Sequence, residues 1–484
     1  MDKKFYITTP IYYVNDRPHI GHAYTTVAAD VLSRWHRQKG KKVFFLTGTD
    51  EHGAKIAAAA ATAGKSEKEF VDEKTQSFKN VWQKLNIEYN NFLRTTDPTH
   101  IAAVQTAIQH LKDKELIYKE QYEGLYCQGC EQYKTRDDLI DGKCPEHQIE
   151  PQLMKEESYF FRLSQFEEQL KKKIESDELE IEPIERKNEV LSFINKGLKD
   201  ISISRKTVSW GISLPFDKNY SLYVWVDAFL NYLTGLGWNG KSGKIPKFFP
   251  PDVQLMSKDI LRVHATIWPA LLLALELPLP KKLFVHGYFT VDGQKMSKSL
   301  GNVIWPEDLV EKFGVDGTRY LLMSSLVSGQ DGDISWEKLT EKYNADLANN
   351  LGNLVSRVVK LNENIKAKIG KEKPKIKNLE KLVDEDKSSS SPFAIARLLE
   401  EVKLKEILDK IWEQIAWANK YIEEKKLWEL VKNNPKEGKK VLSELLSLIS
   451  KVGQALAPFM PETSEKILVQ LEAPKNKPLF PRIS

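Results

Sequence analysis

Two histidines three residues apart are the first side chains in this sequence that could carry out chemistry. His19 and His22 flank Gly21, just after an apolar run and the turn-forming segment 15–18. A strand, a turn and a helix start in succession here, so the helix N-terminus would present unpaired N–H groups and a partial positive charge. Both imidazoles would point at one anion, and Gly21 would let a ligand approach the backbone. The alternative is that the pair is an ordinary surface or core feature.

Two lysines later in the chain could bind the same kind of anion. Lys295 and Lys298 lie three residues apart in the segment 292–302, DGQKMSKSLGN, a loop bounded by glycines. In isolation, two such lysines usually belong to a solvated surface. Combined with a helix N-terminus, they would neutralise the negative charge of a transferring phosphate.

The cysteines of the chain have the spacing of metal ligands. Cys127 and Cys130 form one C-x2-C knuckle, and Cys144 and His147 form a second knuckle of the same length. This pattern predicts a tetrahedral Cys3His zinc site that uses all three cysteines of the sequence. Four protein ligands leave no open position for water, so we expect a structural role. Buried or incidental thiols are the alternative.

The elements that must position these residues follow a repeated strand–turn–helix pattern. Residues 43–47 form an apolar run typical of a strand buried on both faces, and an alanine-rich helix is predicted from about 54 to 63. The pattern predicts an α/β fold with a doubly wound, Rossmann-like parallel sheet. Ligands bind at the carboxyl ends of such strands, where Asp50 would lie. Asp50 could cap the alanine-rich helix or bind a substrate ammonium group, and the two roles need not exclude each other.

The composition is that of an ordinary globular protein. The chain has 484 residues, 41% of them hydrophobic, and a net charge of +5, which suits a polyanionic partner without requiring one. The first ten residues lack the apolar core of a secretory signal, and the apolar run 268–279 is too short to span a membrane. We therefore expect a cytoplasmic protein with no membrane partner.

The chain has room for about three domains, one of them divided by an insert. We predict a Rossmann-like catalytic domain in two halves, a connective insert with the zinc knuckle, a junction with the lysine loop, and an α-helical bundle. The predicted ranges, in the order of the chain, are 1–117 (catalytic, first half), 118–225 (insert), 226–290 (catalytic, second half), 291–345 (junction) and 346–484 (bundle).

The motifs, taken together, resemble those of the bacterial methionyl-tRNA synthetases, which are class I aminoacyl-tRNA synthetases. The matching segments are TTPIYYVNDRPHIGHAYT, GTDEHG, the Cys3His knuckle, YVWVDAFLNY, SKDILRVHATIWPA and DGQKMSKSLGN. The resemblance implies an enzyme that activates methionine with ATP and transfers it to tRNA(Met), with Mg2+ accompanying ATP.

The resemblance also implies a role for each matching residue. The ATP-binding residues would be His19, Gly21, His22, Asp259, His286, Gly287, Lys295 and Lys298, of which His19, His22, Lys295 and Lys298 would be catalytic. The methionine pocket would consist of Ile11, Tyr13, Asp50, Trp225, Ala228, Tyr232 and His264. The tRNA anticodon would be read by Asn353, Arg357 and Trp428, although Trp428 could equally be a core tryptophan. Structural Zn2+ would be bound by Cys127, Cys130, Cys144 and His147.

Two departures from the family pattern and three competing functions remain. Many relatives have a paired knuckle with more cysteines, and some carry a further C-terminal dimerisation module, so we expect a monomer here. The alternatives are a class I synthetase for leucine, isoleucine, valine or cysteine, a smaller nucleotidylyltransferase, and a non-catalytic RNA-binding protein that has kept the fold. No DNA partner is expected.

Overall fold

The structure is a computed structural model, and it describes residues 3–127, 132–134, 136, 139–145, 148–206, 208–296, 301–369, 395–472 and 478–484. The strands are β1 (Lys4–Thr8), β2 (Tyr12–Tyr13), β3 (Lys42–Asp50), β4 (Asn91–Arg94), β5 (Ile117–Cys127), β6 (Gln132–Lys134), β7 (Gln152–Phe161), β8 (Glu180–Glu182), β9 (Ile201–Ser202), β10 (Ser204–Arg205), β11 (Ser213–Leu214), β12 (Asp217–Leu222), β13 (Val253–Ser257), β14 (Lys282–His286), β15 (Phe289–Val291), β16 (Gln294–Lys295) and β17 (Gly332–Ile334).

Helices account for most of the remaining described residues. They are α1 (Ile20–Gln38), α2 (Ala54–Thr62), α3 (Glu67–Lys84), α4 (Pro98–Asp113), α5 (Glu167–Glu175), α6 (Ile184–Ile194), α7 (Val224–Phe229), α8 (Asn231–Thr234), α9 (Leu261–Ala274), α10 (Pro306–Ser325), α11 (Trp336–Lys342), α12 (Asn353–Ile369), α13 (Ile395–Glu400), α14 (Leu404–Glu424), α15 (Leu427–Asn433), α16 (Pro435–Leu456) and α17 (Pro461–Glu472). A 3-10 helix, Leu163–Phe166, precedes α5, and a π-helical segment, Tyr343–Gly352, connects α11 to α12.

The chain divides into two compact units. The first unit consists of Met1–Arg17, Lys41–Asn80 and Glu88–Val285, and the second of Pro18–Gly40, Val81–Ile87 and His286–Ser484.

A parallel sheet organises the first unit. Its order is β2-β3-β1-β13-β14-β8, and β4 pairs with β3. The pairs β2–β3, β3–β1, β1–β13, β14–β8 and β3–β4 are parallel, and residues of β1 and β3 lie opposite one another from Lys4 and Lys42 to Thr8 and Leu46. The predicted doubly wound, Rossmann-like parallel sheet is confirmed.

The edge strand β8 comes from an unexpected part of the chain. Its three residues lie within the range predicted as the connective insert, yet they pair in parallel with β14 of the main sheet. Ile181 is the one buried residue of β8, since both flanking glutamates are half-buried. The insert itself contains an antiparallel sheet of order β6-β5-β7-β9, in which β5 and β7 are paired along almost their whole length.

In the second unit, α1 packs against α10, and the described regular elements beyond β17 are helical, as predicted for the C-terminal region. A buried arginine connects these parts. Arg319 of α10 is fully buried, and its Nη2 lies 2.7 Å from Asp30 Oδ2 of α1. The same guanidinium donates hydrogen bonds to the carbonyl oxygens of Pro458, Phe459 and Leu85, at distances of 2.8–3.0 Å.

Neither the domain boundaries nor the zinc-bearing character of the insert is tested by this architecture, so both stay predictions. In the described part of the chain, no helix has both the length and the apolar character needed to cross a membrane.

Candidate functional site

The residues predicted to bind methionine lie in the first unit, and two of them are on neighbouring strands. Asp50 is the last residue of β3, and Tyr13 of β2 lies directly opposite it in the parallel pairing. The backbone N–H of Val14 donates to the carbonyl oxygen of Asp50 at 3.3 Å. Tyr13, Asp50 and Ile11, which lies between β1 and β2, are all half-buried. The carboxylate of Asp50 is therefore placed at the carboxyl end of its strand, where parallel sheets bind ligands.

Asp50 does not cap the alanine-rich helix. The residue at the N-cap of α2 is Gly53, which has a φ of 113° and no side chain to accept a hydrogen bond. Of the two roles considered for Asp50, the capping role is wrong and the ammonium-binding role stays a prediction.

Aromatic rings surround His264 of α9. The ring of Phe229 lies edge-on to it at a centroid distance of 4.9 Å, and that of Trp225 at 6.3 Å. Ala228, on the same helix as these two rings, is buried, whereas Trp225 is half-buried. Together these residues form an apolar wall that a thioether side chain could contact.

Hydrogen bonds fix the tautomer of His264. Its Nδ1 lies 2.8 Å from the carbonyl oxygen of Ile260, which can only accept, so Nδ1 carries the proton. Its Nε2 lies 2.9 Å from the Tyr232 hydroxyl and therefore accepts from it. Burial lowers the pKa of His264 to about 4, so the ring is neutral at neutral pH. The Tyr232 hydroxyl is thus committed to His264, and the wall carries no charge at this point.

Buried polar contacts anchor the loop that directly follows Asp50. Glu51 is fully buried and receives a two-pronged ion pair from Arg94, with Nε–Oε1 2.7 Å and Nη2–Oε2 2.8 Å. The indole N–H of Trp210 donates to the carbonyl oxygen of Glu51 at 2.6 Å. Sequence reasoning missed Glu51 and Arg94 because the partners lie 43 residues apart.

Asp259, predicted to bind ATP, also lies in the first unit. It follows β13 and is exposed, and its Oδ1 accepts a hydrogen bond from the Ser257 hydroxyl. It is therefore placed, like Asp50, beyond the carboxyl end of a strand of the parallel sheet.

In the second unit, the predicted phosphate-binding histidines cap helix α1. His19 is the N-cap residue, and its Nδ1 accepts the Gly21 N–H at 3.0 Å. His22 Nδ1 accepts the His19 N–H at 3.2 Å, which completes a reciprocal capping box. The two rings stack with their centroids 3.8 Å apart. Because both Nδ1 atoms accept, the proton of each neutral ring is on Nε2.

The charge of this histidine pair is limited by its surroundings. Burial, together with the neighbouring His19, holds the pKa of His22 well below its ordinary value. Stacked rings at this distance would also repel one another if both were protonated. At neutral pH, His22 is therefore a neutral hydrogen-bond donor rather than a cation.

Gly21 is required by the ring of His19. A Cβ atom at position 21 would lie 2.9 Å from Cε1 and 3.1 Å from Nδ1 of His19. The capping ring of His19 lies beside Gly21, and the predicted role of this glycine in the approach of ATP stays a prediction.

His286, at the end of β14, is fixed by residues that sequence reasoning missed. Its Nδ1 lies 2.8 Å from the carbonyl oxygen of Gly287 and therefore donates, and its Nε2 lies 2.7 Å from the hydroxyl of Thr25 in α1. The ring of Tyr24 meets it edge-on at 5.1 Å. At Gly287, a Cβ atom would lie 2.0 Å from the carbonyl oxygen of Gln330, so a side chain is excluded there.

The first part of the predicted lysine loop is a β-hairpin. β15 and β16 pair antiparallel around Asp292 and Gly293, both of which have positive φ. Asp333, at β17, accepts from the Gly293 N–H at 2.6 Å and from the Thr290 hydroxyl at 2.9 Å. The backbone of Lys295 ends β16, but its side chain and the whole of Lys298 lie outside the described residues. The approach of these lysines to His19 and His22 stays a prediction.

The predicted anticodon residues lie on two helices of the helical region, α12 and α15. Asn353 and Arg357 are one turn apart on α12, and Arg357 Nη2 lies 2.6 Å from Glu423 Oε1 near the end of α14. Trp428 is the second residue of α15 and is 37% exposed. This exposure argues against a purely structural role for Trp428 in the core.

Comparison with known proteins decides the family. A family model described as "tRNA synthetases class I (M)" matches residues 5–153 and 147–359. A methionine–tRNA ligase of Caldanaerobacter subterraneus subsp. tengcongensis is 44% identical over 477 residues, covering 97% of this chain and 74% of the relative. One of Streptomyces coelicolor is 42% identical and covers 97% of this chain and 90% of the relative. The chain belongs to the methionine–tRNA ligase family.

A solved member of the methionine–tRNA ligase family has the same fold. The Mycobacterium tuberculosis methionyl-tRNA synthetase in complex with methionyl-adenylate superimposes with a TM-score of 0.89 at 33% identity, over 99% of this chain and 100% of that one. The family and the class of enzyme predicted from the sequence are therefore confirmed.

The predicted zinc site of this methionine–tRNA ligase family member is only partly described. Cys127, the last residue of β5, and Cys144 are both fully buried, as knuckle ligands would be. The backbone of Cys144 forms a tight turn, in which Gln148 N–H donates to its carbonyl oxygen at 2.8 Å. Cys130 and His147 lie outside the described residues, and within those residues no group of three metal-ligating side chains occurs. The two described thiols fit zinc, and the complete ligand set stays a prediction.

Proposed function

We propose that this chain activates methionine with ATP and then transfers the methionyl group to the 3′ end of tRNA(Met). Two observations carry the proposal: aromatic rings pack around a neutral histidine in the first unit, and two stacked imidazoles cap a helix N-terminus in the second. The first arrangement suits a thioether, which is apolar and a weak hydrogen-bond acceptor. The second suits the phosphates of ATP.

The substrates supply the reacting groups themselves. A carboxylate oxygen of methionine attacks the α-phosphorus of ATP, the new P–O bond forms, and the bond to the leaving pyrophosphate breaks. A ribose hydroxyl of tRNA then attacks the acyl carbon and releases AMP. No protein nucleophile is needed, so the protein must position the reactants and stabilise negative charge.

Each predicted residue has a role in this scheme. Asp50 binds the ammonium group of methionine, and Trp225, Ala228 and His264 contact its side chain, with Ile11, Tyr13 and Tyr232 completing the pocket. The Nε2–H groups of His19 and His22 donate to phosphate oxygens beside the N–H groups of α1, and His22 does so as a neutral ring. Lys295 and Lys298 neutralise the developing charge. Gly21, Asp259, His286 and Gly287 contact the nucleotide, and ATP enters as its Mg2+ complex.

The helical region reads the tRNA. Exposed aromatic side chains stack on unpaired bases, and arginine and asparagine side chains hydrogen-bond to base edges. Trp428, Arg357 and Asn353 have these chemistries, and the described ion pair of Arg357 with Glu423 holds its guanidinium near the start of α15.

The remaining parts of the proposal concern the insert and the setting. Cys127, Cys130, Cys144 and His147 would hold a structural Zn2+, which would fold the tip of the insert and take no part in the reaction. The catalytic domain is divided at 117 and resumes at 226, and the anticodon-binding bundle begins at 346. The protein acts as a cytoplasmic monomer.

Amino-acid-dependent ATP–pyrophosphate exchange tests the activation step. The purified chain is assayed with methionine, leucine, isoleucine, valine and cysteine, and we expect exchange to depend on methionine. Exchange driven equally by one of the other four would replace methionine as the substrate. No exchange with any of them would favour a non-catalytic RNA-binding protein.

The tRNA step is tested with two exposed tryptophans of the helical region. Trp428→Ala should leave pyrophosphate exchange unchanged and lower the rate of tRNA(Met) charging by about 10-fold or more, because one base-stacking contact is worth roughly 1–3 kcal/mol. Trp417→Ala is the matched control, since Trp417 is 50% exposed and lies on α14. Equal charging by the two variants would assign Trp428 to the structure of the bundle.

A further inference from the structure

Three buried side chains in the first unit, His52, Asp227 and His100, form a hydrogen-bonded cluster. None of them is predicted to contact substrate. His52 Nδ1 lies 2.7 Å from Asp227 Oδ2, and His100 Nε2 lies 2.7 Å from Asp227 Oδ1. The exposed fractions are 5% for His52, 1% for Asp227 and 0% for His100. Both carboxylate oxygens therefore accept from an imidazole N–H in the interior of the protein.

This hydrogen-bonded cluster joins the elements that carry the predicted methionine pocket. His52 follows Asp50 by two residues, and Asp227 lies between Trp225 and Ala228 on α7. The cluster also connects α4 to α8, because Nδ1 of His100 in α4 lies 2.7 Å from the hydroxyl of Thr234 in α8. The ammonium-binding end of the pocket and its aromatic wall are thus tied to one carboxylate.

The energetics favour a positional role over a purely stabilising one. Burial raises the pKa of the Asp227 carboxyl, but the imidazoles of His52 and His100 outweigh this effect and hold the pKa below its usual range. A buried ion pair often stabilises a fold no better than apolar side chains of similar volume, because both charges lose their hydration. In contrast to apolar packing, two directed hydrogen bonds to one carboxylate fix both the distance and the orientation of the elements that they join.

We propose that Asp227, held between His52 and His100, is a positioning residue that sets the distance between Asp50 and the wall formed by Trp225 and Ala228. This distance determines the length of the amino-acid side chain that the pocket accepts. The inference rests on the proposed function, since it deepens the account of the same pocket. Neither Asp227 nor His100 is assigned a contact with substrate.

The test uses two variants of His100 that differ in one hydrogen bond. In His100→Leu, Oδ1 of Asp227 loses its donor, whereas in His100→Gln the amide nitrogen can replace Nε2 and restore it. Pyrophosphate exchange is measured with methionine and with ethionine, which is longer by one methylene. We expect His100→Leu to raise the KM for methionine about 10-fold with kcat nearly unchanged. It should also lower the preference for methionine over ethionine about 10-fold, because one methylene in such a pocket changes the relative rate by roughly 10–200-fold. His100→Gln should restore both values.

Two further variants separate positioning from loss of stability. Asp227→Asn removes the carboxylate while keeping its shape, and it should change the methionine-to-ethionine ratio in the same direction even if His100→Leu does not fold. Lys282→Met is the matched control, because Lys282 is a buried residue of β14 that forms ion pairs with Glu180 and Glu182. This variant should lower the thermal midpoint without changing the ratio.

The outcomes separate the inference from the function on which it rests. A wild-type chain without methionine-dependent exchange would contradict the proposed function. The inference alone would be overturned if the wild type were active and the folded variants His100→Leu and Asp227→Asn kept the wild-type preference for methionine over ethionine. A ratio that changes equally in Lys282→Met would overturn it as well, because general loosening of the fold would then explain the effect.

Discussion

The histidines of the two units are held in opposite ways. In the first unit, His264 donates from Nδ1 to a backbone carbonyl and accepts a hydroxyl proton on Nε2. In the second unit, His19 and His22 accept backbone N–H groups on Nδ1, so the proton of each neutral ring is on Nε2. The same side chain thus serves as a neutral part of an apolar wall in one unit and as a hydrogen-bond donor at a helix end in the other. The tautomer differs because a carbonyl oxygen faces Nδ1 of His264, whereas backbone N–H groups face Nδ1 of His19 and His22.

The largest expected effect concerns the acid sensitivity of the first unit. The pKa of His264 is about 4 in the folded chain and 6.5 for an ordinary histidine. Between these values the unfolded chain binds a proton that the folded chain does not, so stability falls as the pH falls from 6.5 to 4. Above and below this window His264 contributes no pH dependence. The full shift corresponds to roughly 3 kcal/mol.

His264→Gln removes the titrating group and should make urea unfolding less dependent on pH within this window. Unfolding midpoints at pH 7, 5.5 and 4.5 measure the effect. His110→Gln on α4, where His110 is half-buried, is the control. An unchanged pH dependence in His264→Gln would mean that the ring is not held neutral and that the contrast between the units is wrong.

The second prediction concerns the helix end. In Gly21→Ala, the added Cβ would collide with the ring of His19, which lies 2.9 Å away at Cε1, and would displace it from the cap. Loss of one preorganised donor typically costs about 100-fold or more in rate, so pyrophosphate exchange should fall by that order. The free energy of unfolding should change little, because alanine favours a helix by about 1 kcal/mol over glycine and offsets the lost cap.

Gly453→Ala in α16 is the matched control for this variant, since its added Cβ would lie 3.2 Å from Ile467 Cγ2. We expect it to keep full exchange activity. If Gly21→Ala were as active as the wild type, the capping geometry of His19 would have no part in binding phosphate.

The smallest predicted effect concerns the link between α1 and His286. Thr25→Val keeps the shape of the side chain but removes the hydroxyl that lies 2.7 Å from His286 Nε2. A buried group left without its partner costs about 1–3 kcal/mol, so the KM for ATP should rise about 10-fold while the KM for methionine is unchanged.

Thr26→Val is the control for Thr25→Val, because the Thr26 hydroxyl donates within the helix to the carbonyl oxygen of His22. A rise in the KM for methionine in Thr25→Val would contradict the prediction that His286 contributes to binding ATP and not to binding methionine.

The sequence predicted the elements with strong local patterns and missed the contacts made over long distances. The apolar run of β3 and its position before Asp50 are predictable, because each depends on adjacent residues. β8 is not, since only Ile181 of its three residues is buried. Asp333 could not be assigned either, because it meets Gly293 across 40 residues and nothing in its local sequence marks it. The capping role of His19 likewise depends on a helix that begins at Ile20, which a motif does not specify.

Arg319 has a consequence for how far this enzyme can be shortened. Its guanidinium, enclosed without access to solvent, depends on Asp30 of the histidine-bearing helix and on carbonyl oxygens at positions 458 and 459. Deleting the C-terminal helices would strip a buried cation of two acceptors and weaken the support of α1 at the same time. The C-terminal helical region is therefore needed for the fold of the second unit, and we expect the helix that carries His22 to lose stability when that region is deleted.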